Sequence, residues 1–222
     1  MRSFLKIEIV IGTIVILCSL VLSLFAFRKE NTLTHLRRFY LYPLLAFYLS
    51  TVTFTDEFII TFSKSTITIA QYIYIFLEPI FWGTFFMILF RNKKRIALIR
   101  TIFIITLSLI TFLAIRSNFN SHNHQIVSIS NLSFTFYCGI YFFDLFRGEP
   151  IKLIKSDPTF YIVVGLFFYS ALSLPFFSLS DYFKRSNSFL YPMIICFLNL
   201  TIIIMHLFFI KGYLCLIKPT KV

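Results

Sequence analysis

The sequence predicts an all-α membrane protein of seven transmembrane helices, with its N-terminus outside the cytoplasm and its C-terminus inside. Three observations predict this fold: the composition, a series of long apolar stretches, and an uneven distribution of basic residues. Of the 222 residues, 58% are hydrophobic and only 14% are charged, whereas soluble domains carry about 25% charged residues. A mean hydropathy of +0.84 leaves too few polar side chains to cover a water-soluble particle.

Seven apolar stretches follow one another along the chain. A helix that crosses the hydrocarbon core needs about 20 predominantly apolar residues. Stretches of this kind lie at about 5–27, 39–62, 66–90, 97–115, 126–146, 160–182 and 189–212. They leave only short connections, so we expect a single transmembrane domain over 1–222 and no soluble domain. The first stretch is too long for a signal peptide and is not followed by a cleavage pattern of small residues.

Polar residues between the stretches support the predicted boundaries. Ser156-Asp157-Pro158 precedes the sixth stretch and is typical of a helix start, with a capping side chain before a proline at the first helical position. The polar run 116–125 separates the fourth and fifth stretches, as expected of an outside loop. Asp144 precedes Arg147 by three residues at the end of the fifth stretch, where we expect an interfacial ion pair.

The basic residues predict the orientation. One set of connections and helix ends contains fifteen Lys and Arg residues, within 28–38, 91–100, 147–155 and 211–221, and the other set contains six. Short cytoplasmic loops carry the excess of Lys and Arg, so the richer set is predicted to face the cytoplasm. The net charge of +12 does not indicate nucleic-acid binding, because the basic residues are spread over loops and do not form one folded surface.

An internal repeat is the next feature of the sequence. A shift of 121 residues aligns Phe39-Tyr40 with Phe160-Tyr161, Phe47-Tyr48 with Phe168-Tyr169, and Phe76-Leu77 with Phe197-Leu198. Both halves begin outside, which indicates a parallel 3+1+3 repeat with the fourth helix as linker; the alternative is chance, because Phe and Ile are frequent. The arrangement resembles that of the SWEET sugar facilitators and the wider PQ-loop group, although no Pro-Gln pair occurs. The resemblance implies a polar substrate site near the membrane midplane.

A second resemblance rests on short aromatic segments. Tyr141-Phe-Phe-Asp-Leu-Phe-Arg147, the run from Phe160 to Tyr169, and Leu174-Pro175-Phe176 are similar to segments of uncharacterised seven-span proteins of Bacteroidota. The resemblance implies the same fold and a location in a bacterial inner membrane. It implies no particular activity.

Polar residues within the stretches are the candidate site. An ionisable side chain at the bilayer centre costs about 2.5–3.5 kcal/mol on insertion scales and therefore usually faces the interior of the bundle. Glu78 lies near the middle of the third stretch, before Pro79, and the 121-residue shift places Asn199 opposite it. The alternative is that Glu78 only joins helices through hydrogen bonds. The remaining candidate ligand-binding residues are Gln71, Asn131, Tyr169 and Ser173.

Motifs of known membrane enzymes and metal proteins are not found in the sequence. It lacks H-E-x-x-H, G-x-S-x-G, a Walker loop and a lysine in the middle of the seventh stretch. The four cysteines form no C-x-x-C pair, and His122 and His124 alone make a weak metal site. We therefore expect no catalytic residues, no metal and no cofactor.

Three functions remain in competition. The first is a carrier or facilitator for a small polar solute, with Glu78 and Asn199 lining its pathway. The second is a ligand-sensing or accessory membrane subunit that signals through a separate protein. The third is a structural membrane protein with no transported ligand. The basic segment Arg91-Asn-Lys-Lys-Arg95 would suit an acidic partner or anionic lipid, or it serves only to set the topology.

Overall fold

The structure, a computed structural model, describes residues 2–27, 36, 39–58, 64–117, 124–148, 157–186 and 190–217. Across these residues it contains seven helices and no strand. The helices are α1 (Arg2–Phe27), α2 (Leu41–Phe58), α3 (Lys64–Leu89), α4 (Lys93–Arg116), α5 (His124–Gly148), α6 (Pro158–Ser186) and α7 (Leu190–Ile217). The prediction of an all-α fold is confirmed. His122, most of the predicted outside loop, and the basic residues of 28–35, 37–38, 152–155 and 218–221 lie outside the described residues.

Six of the described helices are long and apolar enough to cross a membrane. These spans are Lys6–Ala26, Ile67–Leu89, Lys93–Arg116, His124–Arg147, Pro158–Ser180 and Pro192–Ile217. Helix α2, with 18 residues the shortest of the seven, is not among them. The apolar Ile59 and Ile60, which the sequence assigns to the same stretch, lie outside the described part of the chain.

Two helix starts show side-chain capping. The carboxylate of Asp157 accepts a hydrogen bond from the Thr159 backbone N–H at 2.8 Å, directly before Pro158 at the first position of α6. The predicted cap at this point is confirmed, and Asp157 is the capping residue. The Asn92 side chain accepts in the same way from the Lys94 N–H at the start of α4. Each cap satisfies one of the free N–H groups at a helix start.

The helices form a closed ring in chain order. Each helix packs against the next, α7 packs against α1, and α3 also contacts α5. Neighbours run antiparallel: between α5 and α6, Thr135 contacts Ser170 and Tyr141 contacts Asp157, and between α6 and α7, Phe168 contacts Phe208 and Phe176 contacts Phe197. We call the end where α1, α3, α5 and α7 begin the N-terminal face, and the opposite end the C-terminal face. Because α3 contacts α5 directly, α4 lies on the outside of the bundle.

The outer surface of the bundle is apolar, as expected of a protein solvated by lipid. Many large hydrophobic side chains are exposed, including Phe25, Phe112 and Ile115. Asp144 pairs with Arg95 of α4 at 2.9 Å, while the Arg147 guanidinium lies 4.1 Å from the centre of the Phe143 ring. The expected partner Arg147 is therefore replaced by Arg95, because α4 and α5 are antiparallel and bring the two side chains together at the C-terminal face.

Aromatic side chains fill the bundle interior toward the C-terminal face. This aromatic layer consists of Phe39, Tyr42, Trp82, Phe85, Phe86, Phe134, Tyr137, Phe209 and Tyr213, all within one buried cluster. The Trp82 ring lies 4.8 Å from that of Tyr42 and 5.6 Å from that of Phe39. Aromatic pairs at such separations contribute about 0.5–1.5 kcal/mol beyond the area they bury. The layer joins α2, α3, α5 and α7 into one packed unit.

Candidate functional site

A cavity of about 260 Å³ lies inside the bundle, on the N-terminal side of the aromatic layer. Its lining comes from six helices, α1, α2, α3, α5, α6 and α7, the same six that enclose the interior when α4 is set aside. The residues closest to the aromatic layer are Tyr42, Glu78, Tyr169 and His206, and those nearer the N-terminal face are Glu8, Thr53, Gln71, Phe177 and Asn199. The helix positions of these residues define an inner and an outer half.

Glu78 is the central polar group of the inner half. Its side chain is buried, and its Oε1 accepts hydrogen bonds from the hydroxyls of Tyr74 at 2.7 Å and Tyr42 at 3.0 Å. Tyr74 precedes Glu78 by four residues and so lies on the same face of α3, whereas Tyr42 comes from α2. No donor to Oε2 is found among the described residues, so one carboxylate oxygen remains available for a further partner.

Pro79 adds a second acceptor near Glu78. A proline has no N–H, so the carbonyl of Ile75, four residues earlier, loses its usual helical donor. Ile75 lines the cavity, and α3 continues through this position as one helix. The Glu78-Pro79 pair therefore places both a carboxylate and a freed backbone carbonyl on the part of α3 that borders the cavity.

His206 of α7 lines the cavity beside Tyr42. Its side chain is fully buried, and its ring is stacked on Tyr42 at 6.2 Å and meets the Phe209 ring edge-on at 5.3 Å. Both ring nitrogens are buried without a hydrogen-bond partner. Leaving a buried polar group unpaired costs about 1–3 kcal/mol. The imidazole therefore borders the cavity with two nitrogens that have no hydrogen-bond partner among the described residues.

The outer half of the cavity contains smaller polar groups and a second acid. Thr13 of α1 and Ser50 of α2 share a hydrogen bond of 2.8 Å between their hydroxyls. Glu8 of α1 also lines the cavity, and its Oε2 is buried without a hydrogen-bond partner. Both acids of the cavity thus have a carboxylate oxygen that accepts no hydrogen bond from the described residues.

Four of the six residues predicted from the sequence meet at this cavity: Glu78, Asn199, Gln71 and Tyr169. On α7, Asn199 lies seven residues closer to the N-terminal face than His206, which is about 10 Å along the helix axis. Asn131 and Ser173 are buried but do not belong to the lining. The Asn131 Nδ2 has no hydrogen-bond partner, and the Ser173 hydroxyl donates to the Tyr169 carbonyl.

Sequence reasoning missed three contributors to the site. The contact of Tyr74 with Glu78 could have been predicted, because residues four apart lie on the same face of a helix. Glu8 is an acid inside the first apolar stretch and meets the same criterion that selected Glu78. Tyr42 has no comparable signal, because its contact with Glu78 joins two helices and depends on their packing.

The charge of the lining has one sign. Two carboxylates, Glu8 and Glu78, face the cavity, and the described lining contains no Lys or Arg. His206 is the one described lining residue that is able to become a cation, and its neutral form offers one donor and one acceptor. In a site of low dielectric such carboxylates interact strongly with an approaching cation. The cavity therefore favours positive or hydrogen-bond-donating ligands over anions.

Comparisons with protein-family models, with curated proteins and with solved structures found no match to this chain. A functional interpretation therefore depends on the geometry of the cavity and on the membrane character of the helices.

Proposed function

We propose that this chain is a seven-span protein of a bacterial cytoplasmic membrane, with its N-terminus outside and its C-terminus inside, and that it carries a small solute. The observation that supports this most strongly is the internal cavity, which is lined by six helices and contains the buried Glu78, whose Oε2 accepts no hydrogen bond from the described residues. Buried polar groups that lack a partner are costly unless a ligand or water satisfies them. In this proposal α2 is the seventh span, as the apolar stretch 39–62 of the sequence predicts.

The helix contacts support a parallel 3+1+3 repeat. The contacts α1–α2, α2–α3 and α3–α5 of one half correspond to α5–α6, α6–α7 and α7–α1. The Trp82 ring lies 6.4 Å from that of Phe134. The corresponding contact in the other half joins Ile203 of α7 and Gly12 of α1. Ile203 follows Trp82 by 121 residues, and Gly12 precedes Phe134 by 122 residues. A Cβ added to Gly12 would lie 3.9 Å from Ile203 Cγ1. A ring of two equivalent halves around a central site, with α4 outside as linker, is the arrangement expected of a SWEET-like facilitator.

The proposed orientation predicts the result of reporter fusions. Alkaline phosphatase fused after Asn92, between α3 and α4, should be inactive in a bacterial host, because this connection faces the cytoplasm. The same enzyme fused after Ser117, beyond α4, should be exported and active. A fluorescent protein that folds only in the cytoplasm should give the reverse pattern at the two positions. The opposite activities would overturn the orientation.

Uptake by proteoliposomes tests the carrier function. We expect Glu78→Gln to reduce uptake of a transported solute at least about tenfold, because the loss of one hydrogen bond to a charged group costs about 1.5–3 kcal/mol. Asn199→Ala should reduce uptake about two- to tenfold, as expected for a neutral hydrogen bond. Thr84→Val is a suitable control, because Thr84 is exposed on the outer surface of α3 and its hydroxyl bonds only its own helix.

The alternative function, a sensing or accessory subunit, is favoured by the connection between α3 and α4. The side chains of Arg91, Lys93 and Lys94 are exposed next to one another at the C-terminal face, where an acidic protein would find complementary charge. If Glu78→Gln and Asn199→Ala leave all transport unchanged while a partner co-purifies, and Lys93→Glu with Lys94→Glu releases that partner, the accessory role replaces the carrier.

A further inference from the structure

We propose that the solute bound in this cavity is a small organic ammonium ion, with its charged nitrogen at Glu78 and its apolar part toward the N-terminal face. This inference rests on the proposed solute-binding function and names the chemical class of the solute. Two independent observations support it: the charge of the lining, and the unpaired nitrogens of the buried His206.

The position of the ammonium group follows from the hydrogen bonds of Glu78. The two tyrosine hydroxyls occupy Oε1 and hold the carboxylate in place. Oε2 is left without a donor from the described residues, and an ammonium N–H is a suitable donor for it. Charge-assisted hydrogen bonds of this kind are roughly twice as strong as neutral ones. The network thus orients one oxygen and leaves the other for the ligand.

His206 provides the second contact for the same group. An ammonium ion has up to three donors and no acceptor, so it can satisfy Oε2 of Glu78 and the acceptor nitrogen of a neutral imidazole together. The stacking of His206 on Tyr42, which itself bonds Glu78, brings the imidazole and the carboxylate to the same end of the cavity. A carboxylate ligand would instead meet Glu78 with like charge and would find no described Lys or Arg in the lining.

The aromatic residues that line the cavity also favour a cationic ligand. Tyr42, Tyr74 and Tyr169 line the inner half of the cavity, and Phe177 lines the outer half. Aromatic faces attract ammonium ions, by about 0.5–2 kcal/mol depending on desolvation. The outer half also contains Ile9, Leu49 and Val127, which suit an alkyl or aryl group. A volume of about 260 Å³ is below the usual range of about 300–1,000 Å³ for pockets that hold drug-sized ligands, which indicates a small amine.

Trp82 provides a direct binding assay. It is the single tryptophan of the chain, and its ring lies 4.8 Å from that of Tyr42, whose hydroxyl bonds Glu78. Its emission should therefore change when a ligand orders the inner half of the cavity. The purified protein in lipid nanodiscs is titrated at neutral pH with benzylamine, with the neutral benzyl alcohol, and with the anion phenylacetate. We expect a saturable change with benzylamine, at least about tenfold tighter than with the alcohol, and no binding of the anion.

Substitutions of single residues test where in the cavity the amine binds. Glu78→Gln keeps the size of the side chain and a hydrogen-bond acceptor, and it should weaken the binding of benzylamine about 10–100-fold. His206→Phe keeps the aromatic packing and should weaken it about two- to tenfold. Asp144→Asn removes an acid that pairs with Arg95 at the C-terminal face and should leave the affinity unchanged. The ligand series on the parent protein tests the proposal even if a variant does not fold.

Failure of this inference and failure of the carrier proposal give different results. If benzyl alcohol or phenylacetate binds as tightly as benzylamine, or if amines from methylamine to phenethylamine leave Trp82 emission unchanged, the ammonium assignment is wrong, whatever the protein transports. If benzylamine binds and requires Glu78 but proteoliposomes accumulate no amine, the assignment stands and the carrier proposal is replaced by a sensing role.

Discussion

Replacing Trp82 by alanine is expected to lower the free energy of unfolding by about 2–4 kcal/mol. Trp82 is fully buried, and its ring packs against rings from the start of α2 and from α3, α5 and α7. Loss of the indole removes all of these contacts and leaves a void that neighbouring side chains fill only in part.

We expect Trp82→Ala to lower the free energy of unfolding somewhat less than the same change does in a soluble protein. In a water-soluble core, Phe or Trp to Ala costs about 3–5 kcal/mol, which includes transfer of the side chain from water. A membrane helix that separates from its neighbours exposes the side chain to lipid, which is as apolar as the core. The remaining cost is the lost dispersion contact of a close-packed ring.

Thermal stability in detergent, followed by size-exclusion chromatography of a fluorescent fusion, measures this effect. Trp82→Phe is the matched control, because it keeps an aromatic ring at the centre of the aromatic layer and should cost less than half as much as Trp82→Ala. Equal stability of the parent and Trp82→Ala would show that the layer does not hold α2, α3, α5 and α7 together.

Replacing Gly165 by leucine is expected to destabilise the bundle by about 3 kcal/mol. A Cβ at this position would lie 2.8 Å from the Phe208 Cβ and 2.9 Å from the Met205 carbonyl oxygen of α7. Both are fixed close to the backbone, so α6 and α7 would have to move apart. Glycine at a helix contact allows this close approach in membrane proteins. Gly165→Ala should cost about 1–2 kcal/mol.

Gly139 provides a matched comparison for the same substitution. A Cβ at Gly139 would meet nothing within 4 Å, and the position is exposed on α5. Gly139→Leu should therefore be neutral or slightly stabilising, because leucine is a better helix former than glycine. If both leucine variants unfold at the same temperature in the chromatography assay, the close contact of α6 with α7 does not contribute to stability.

The sequence predicted the helices well because the membrane imposes a strong rule. Every backbone group in the hydrocarbon must bond within its own segment, so a long apolar stretch becomes a helix. The predicted stretch at 160–182 lies within the observed α6, and the Asp157 cap marks the start of this helix. Helix α2 is the weakest case, because it is the shortest of the seven helices and is not among the six that are long and apolar enough to cross a membrane.

The site was less predictable, because side-chain partners in a bundle come from different helices. Glu78 was predicted because an ionisable side chain in the hydrocarbon core is costly and usually faces the interior of the bundle. Its partner Tyr74 could have been predicted from the spacing of four residues on the same helix. The stacking of His206 on Tyr42 depends on how α7 packs beside the start of α2, which the apolar pattern does not encode. For the same reason Asn131 and Ser173 were predicted as ligand-binding residues, although neither belongs to the lining of the cavity.

The aromatic layer has a further consequence for how fast such a protein can work. In the proposed carrier, a solute held against Tyr42 and His206 would meet the packed rings of the aromatic layer on the side of the C-terminal face, and passage to that face would require those rings to separate. Their separation requires displacement of whole helices, a motion on the microsecond-to-millisecond timescale. Residence of the solute would then be controlled by a mechanical event in the bundle, and substitutions that thin the layer should shorten it while leaving the binding contacts intact.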